Sequence, residues 1–156
     1  MSFTKKDKAF MADARGFAER HSKDRSTKVG CLVLGPGNEP LSWGYNGFPR
    51  GADDNKEERH ERPLKYLWAE HAERNAIYNA ARSGIKLLGS RMYVTSLCPC
   101  PDCARAIIQS GINKIYLEAS AFDTTNPRVL AWILNWPITK QMLEECGVEI
   151  IIEDKE

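Results

Sequence analysis

Residues 69–76 read AEHAERNA, and residues 97–104 read LCPCPDCA. His71 with Cys100-x-x-Cys103 offers one imidazole and two thiolates, the donor types that zinc prefers. Glu73 follows His71 by two positions. In a regular helix, residues two apart point about 200° away from each other, so His71 and Glu73 share a site only if a helix begins at or just before His71. Pro99 and Pro101 suit another helix start, which puts Cys103 on the same face as Cys100 one turn later. Thiolates in that position are favoured by unpaired backbone N–H groups and by the helix dipole, which lower their pKa.

Three ligands leave the fourth position of a zinc ion to water, the arrangement of a catalytic site. Two thiolates cancel most of the metal's charge, so this water needs a base nearby. Glu73 is placed to take its proton and hand it to a ring nitrogen of a substrate. Attack at a carbon bearing an exocyclic amine gives a tetrahedral intermediate, and a second proton passed through Glu73 lets ammonia leave. Two other arrangements stay open: a closed zinc site with Cys98 as fourth ligand, a cramped chelate that gives Glu73 no task, and a Cys100/Cys103 redox pair, which leaves His71 and Glu73 unexplained. His21 and His60 lack such partners and read as surface or satisfied histidines. Cys31 and Cys146 stand alone in apolar surroundings and read as core packing.

The elements that must position these residues follow from periodicity. Thr4 caps a first helix, with Asp7 three residues on and Phe10, Met11, Ala14, Phe17 and Ala18 as its apolar stripe. Val29 to Leu34, the turn at residues 35–38, and Pro40 to Tyr45 form a hairpin. From Arg50 to Arg62, nine of thirteen residues are charged, which marks a solvated loop. Beyond it come a helix over His71 to Ser83, a strand over Arg91 to Thr95, a helix over Cys100 to Ser110, a strand over Lys114 to Leu117, a third helical region, and a strand over Val148 to Ile152. Such alternation indicates βαβ crossovers and an α/β protein with five strands and helices on both faces. The two helix starts, at the carboxyl ends of neighbouring parallel strands, then face one crevice, where open α/β sheets bind ligands. In the third helical region Val129, Trp132, Ile133 and Trp136 share a face, Pro137 breaks the run, and Thr139 caps a last piece. The two tryptophans read as core or subunit interface, or as a wall of the pocket.

A chain of 156 residues fits one domain, taken as residues 1–156. Lys plus Arg minus Asp plus Glu is 22 − 21 = +1, too small a field to track a nucleic-acid backbone or an anionic membrane. The longest uncharged stretches fall short of the ~18 apolar residues of a membrane span. The N-terminal MSFTKKDKAF carries charges where a signal peptide needs an apolar core. A cytoplasmic protein is expected, in which clustered thiols bind metal or do chemistry rather than form disulfides.

From Ser22 to Leu117 the segments SKDRSTKVGCLVL, GYNGFPRG, EHAERNAIYNAAR, MYVT, PCPDCARAIIQSGI and KIY occur in this order. This pattern, with its His-x-Glu and Pro-Cys-x-x-Cys, resembles the zinc-dependent cytidine and deoxycytidylate deaminase family, and among its members those acting on deoxycytidylate (dCMP). The resemblance implies a three-layer α/β/α sandwich around a five-stranded mixed sheet, and hydrolytic deamination of dCMP to dUMP and ammonia, which supplies dUMP for thymidylate synthesis. Cytidine, cytosine or guanine as substrate, and a zinc-stabilised module without turnover, are the rival readings.

The resemblance further implies His71, Cys100 and Cys103 as Zn2+ ligands, Glu73 as proton shuttle, the Ala72 N–H on the pyrimidine carbonyl, and Asn46 on the sugar. An Asn on a tight Asn46-Gly47 turn offers a hydroxyl both donor and acceptor. A 5′-phosphate needs cations or N–H groups, for which Arg25, Ser26, Thr27 and Lys28 are the candidates, with Arg50 beside them. Homo-oligomers, hexamers among them, and activation by dCTP with inhibition by dTTP are also implied. Glu70 and Arg74 put two charges beside the metal motif where dCMP-specific relatives tend to carry uncharged residues, and Ala119 to Pro137 matches no motif.

Overall fold

A reciprocal capping box starts the chain: the Thr4 hydroxyl accepts the Asp7 N–H at 3.1 Å, and the Asp7 carboxylate accepts the Thr4 N–H at 2.8 Å. The computed structural model describes residues 2–155. Helix α1 (Lys5–His21) follows this cap, then the hairpin strands β1 (Gly30–Leu34) and β2 (Pro40–Tyr45). A short α2 (Lys65–Trp68) leads into α3 (Ala72–Ser83), β3 (Arg91–Val94), α4 (Pro101–Gln109) and β4 (Lys114–Leu117). The chain ends with α5 (Pro127–Trp132), α6 (Trp136–Glu145) and β5 (Glu149–Ile152). The charged segment at 50–62 is irregular apart from one 3₁₀ turn at Glu57–His60.

The sheet runs β2-β1-β3-β4-β5, with β1 antiparallel to both neighbours and β3, β4 and β5 parallel. It is therefore mixed. The expectation that the two site helices follow neighbouring parallel strands is corrected here, because β1 lies between β2 and β3. The register of β1 against β2 shifts between Val33 and Leu34, and Leu34 faces Pro40.

Strand alternation divides the core into two. Leu32, Leu34, Tyr93, Tyr116 and Ile151 pack with Met11 and Ala14 of α1 on one face. On the other, Cys31, Val33, Met92, Val94, Ile115 and Leu117 pack against Ala72, Ala76 and Ala80 of α3, Ile107 of α4 and Leu143 of α6. Three layers result, and α3 and α4, the helices whose starts carry the two motifs, lie with the second face. Gly44 lets α3 approach β2 closely, since a Cβ there would meet the Ala72 carbonyl oxygen at 2.6 Å and the Ala76 backbone.

The third helical region differs from expectation. Pro137 sits in the first turn of α6, where its missing N–H costs nothing, so it opens a helix rather than breaking one. Thr139 lies inside α6, fully buried with an unpartnered hydroxyl, and caps nothing. Val129 is buried, and Trp132, Ile133 and Trp136 pack on the core. Cys31 is buried as expected, but Cys146 is exposed just past the end of α6.

Candidate active site and metal centre

His71 is the N-cap of α3 and Cys100 the N-cap of α4, so both motifs sit at helix starts. The extended backbone at His71 (φ −80°, ψ 153°) turns its ring out in front of α3. Pro101 opens α4, and Cys103 sits in the first turn with its N–H 3.5 Å from the Cys100 sulfur. The Nδ1 atom of His71 lies 3.4 Å from the Cys100 Sγ and 3.4 Å from the Cys103 Sγ. A tetrahedral ion with ordinary zinc bond lengths sets nitrogen and sulfur about 3.6 Å apart, so this donor set fits zinc, with Nδ1 as the ligating nitrogen. Among the described residues, these three form the one His/Cys/Asp/Glu group able to hold a metal ion, all ligand atoms lying within 4.8 Å of one another.

Contact with Cys103, then with His71, brings the Cys100 thiol down to about 4, and Cys103 moves up as the partner retaining the proton. Cys98 stays outside the group. Burial pushes its thiol up to about 12, and its sulfur is not among the clustered ligand atoms. Glu73 is only 3% exposed, and burial pushes its carboxyl above the ordinary value.

Glu70 and Arg74 pair with each other at 2.5 Å, and the Glu70 carboxylate also accepts the His71 N–H at 3.1 Å. Arg74 Nη1 stands 3.6 Å from the Asp102 carboxylate. The pair thus links the starts of α3 and α4, one carrying His71 and the other the two cysteines.

In front of these starts opens a cavity of about 430 Å³, with His71, Ala72, Glu73, Cys98 and Trp132 among its lining. The Trp132 ring lies 5.5 Å from the His71 ring, and its Nε1 donates to the Cys98 carbonyl at 2.6 Å. Trp132 therefore walls the pocket. Asn46 lines the cavity, but its side-chain oxygen accepts the Val29 N–H and the Ser22 hydroxyl, both at 2.9 Å, and its Nδ2 donates to the Thr27 carbonyl at 2.8 Å. Only one amide hydrogen remains for a ligand, not the donor and acceptor the turn suggested.

Arg25 and Lys28 are not brought to the cavity. Arg25 is exposed and forks onto Glu57 at 2.5 and 2.8 Å, while Lys28 Nζ reaches the Glu19 carbonyl at 3.3 Å. The Ser26 and Thr27 N–H groups both point to the Asp24 carboxylate, at 2.8 and 3.0 Å, so they are spent on the loop itself. Arg50 bonds Asn79 at 2.5 Å in a separate depression. The cations that do line the cavity are Arg62, Lys65 and Arg128, none of which the motifs singled out. Lys65 is paired with Asp24 at 2.9 Å. His21 is exposed against Phe17 and Tyr45, and His60 Nε2 meets the Asp54 carbonyl at 2.6 Å, so neither belongs to the site.

The family model described as the zinc-binding region of cytidine and deoxycytidylate deaminases matches residues 4–119. The "Uncharacterized deaminase in luxG 3'region" of Aliivibrio fischeri is 40% identical over 129 residues, covering 83% of this chain and 81% of that protein. A probable deoxycytidylate deaminase of Drosophila melanogaster is 38% identical over 154 residues, covering 92% of this chain and 70% of the relative. The crystal structure of a dCMP deaminase from the cyanophage S-TIM5, in complex with dCMP and dUMP, superposes with a TM-score of 0.71 at 26% identity, over 97% of this chain and 99% of that one. With these likenesses and its His/Cys/Cys group at two helix starts, the chain belongs to the cytidine and deoxycytidylate deaminase family.

Proposed function

We propose that the chain is a zinc-dependent hydrolase, one domain acting in the cytoplasm, that converts dCMP and water to dUMP and ammonia. The observation that carries this is the juxtaposition of a buried Glu73 carboxyl with the His71/Cys100/Cys103 group at a nucleotide-sized cavity. dCMP is favoured as substrate because the deaminase of the phage structure was seen with dCMP and dUMP and matches along nearly its whole length.

His71 Nδ1 and the Cys100 and Cys103 sulfurs would hold a zinc ion. When bound, zinc supplies Lewis acidity that prepares water for attack at neutral pH. Glu73, whose carboxyl burial raises, would take a proton from the attacking water and pass it to the ring nitrogen beside the amine-bearing carbon. A second proton moved by the same carboxylate leaves with the amine as ammonia. Ala72 is fully buried in the first turn of α3, where the N–H has no partner within the helix, and it faces the pyrimidine carbonyl. The remaining Nδ2 hydrogen of Asn46 serves the sugar.

Trp132 closes the pocket beside the base. The exposed apolar side chains of Leu130, Leu134 and Ile138 support a homo-oligomer. No helix among the described residues is long and apolar enough to cross a membrane.

Ammonia release from dCMP, deoxycytidine, cytidine, cytosine and guanine by the zinc-loaded protein tests the substrate, with dCTP and dTTP titrated into the dCMP assay to test regulation. Glu73→Gln should lose roughly a hundredfold or more of kcat with zinc retained. Full activity of that variant, or no turnover of dCMP by the wild type, would sink the proposal.

A further inference from the structure

The cavity's ionic residues are unevenly matched. Lys65 is paired with Asp24 at 2.9 Å, and Glu70 with Arg74 at 2.5 Å. Arg62 and Arg128 line the same cavity with no carboxylate partner among the described residues. Arg62 is held to its own segment, its Nε on the Tyr66 hydroxyl at 2.8 Å. Arg128 instead reaches across to the loop before β1, where Nη1 donates to the Ser26 carbonyl and stands 3.3 Å from the Thr27 hydroxyl oxygen. Both contacts use one nitrogen, so the Nε and Nη2 hydrogens remain. Thr27 accepts from Arg128 and keeps its own O–H to donate.

Arg128 and Trp132 are four residues apart in α5 and so share a face, about 6 Å apart along the axis. Trp132 is fixed at the metal end, against the His71 ring and the Cys98 carbonyl. Arg128 therefore stands about one helical turn further out, over the Ser26–Thr27 loop. The whole of α5 lies beyond residues 4–119, the region that the family model matches.

We propose that Arg128, assisted by the Thr27 hydroxyl, is the specificity residue for the anionic 5′ end of the substrate, and that α5 gauges the substrate's length between Trp132 at the base and Arg128 at the phosphate. The assignment rests on the deaminase function above and replaces Arg25 and Lys28 as phosphate readers. A guanidinium meets phosphate oxygens through two parallel N–H bonds, which the free Nε and Nη2 of Arg128 are built to make.

The test compares zinc-loaded wild type, Arg128→Ala and Arg128→Lys. Turnover of dCMP and deoxycytidine is followed by ammonia release, and binding of dUMP and deoxyuridine by calorimetry. For Arg128→Ala, kcat/KM on dCMP should fall roughly tenfold to a hundredfold, mostly through KM, with dUMP affinity falling in parallel and deoxyuridine affinity unchanged. Arg128→Lys should fall between, since it keeps the charge and loses the fork. Equal losses for nucleotide and nucleoside, or an unchanged dUMP affinity, would overturn the assignment. Failure of the wild type to deaminate dCMP would instead remove the proposed function, while the contrast between dUMP and deoxyuridine still decides the role of Arg128.

Discussion

The indole of Trp132 donates to the carbonyl of Cys98 at 2.6 Å, tying a helix beyond the family's zinc-binding region to the turn that leads into α4, whose start carries two of the three metal-ligand candidates. Trp132→Phe keeps a ring beside His71 but strands a Cys98 carbonyl that is well shielded from water. A loss of about 1–3 kcal/mol in stability is expected, read from the denaturant midpoint, together with a raised KM for dCMP. An unchanged midpoint would show that water replaces the indole.

Removal of the metal should loosen the same region. His71 and Cys100 stand 29 positions apart and the segment between them holds α3 and β3, so chelation releases a restraint on two core elements. Stripping zinc should lower the melting temperature and abolish deamination, and His71→Ala should copy both effects with zinc absent by metal analysis. A chelator-treated protein that melts as before, with activity intact, would contradict this.

Gly44→Ala should disable the enzyme from outside the cavity. The added methyl meets backbone rather than a movable side chain, so α3 must shift away from β2. A cost of about 1–3 kcal/mol is expected. Because His71 and Glu73 begin that helix, kcat should fall more than stability alone explains. The check is to measure kcat at a temperature where the variant is fully folded by circular dichroism.

Asp7 sets an acid limit on stability. Burial alone would raise its carboxyl pKa, but hydrogen bonds with Thr4 and Tyr93 outweigh burial and hold it below the ordinary carboxylate value. A carboxyl lowered in the folded state stabilises above its unfolded pKa, and that contribution disappears as pH falls through the folded value. Stability should therefore drop below about pH 4, and Asp7→Asn should flatten that limb while costing about 1 kcal/mol at neutral pH. Parallel pH profiles for the two proteins would refute the role of Asp7.

The two helix starts that carry His71 and the cysteines were legible because their geometry is local: spacing and proline placement fix where α3 and α4 begin. The strand pattern gave the five strands and the hairpin, but not that β1 sits between β2 and β3, since strand order depends on which distant edges pair. Basic character alone placed Arg25 and Lys28 at the phosphate, whereas Arg25 finds Glu57, 32 residues away. Arg128 stayed hidden for the same reason: it meets Ser26 across 102 residues of chain, and only packing brings them together. Thr139 misled because a Thr after a Pro reads as a cap, while here the helix has already begun at Trp136.

The outer strands of the sheet also bear on how copies of the chain can associate. The edge at β5 is four residues long, and the edge strand β2 begins at Pro40, which has no N–H to give, where the pairing register has already slipped. Neither rim offers a long, flat template for strand addition. Continuous sheets between subunits, and the fibrous aggregates that grow by the same route, are thereby discouraged, and an assembly must be cemented by helical faces.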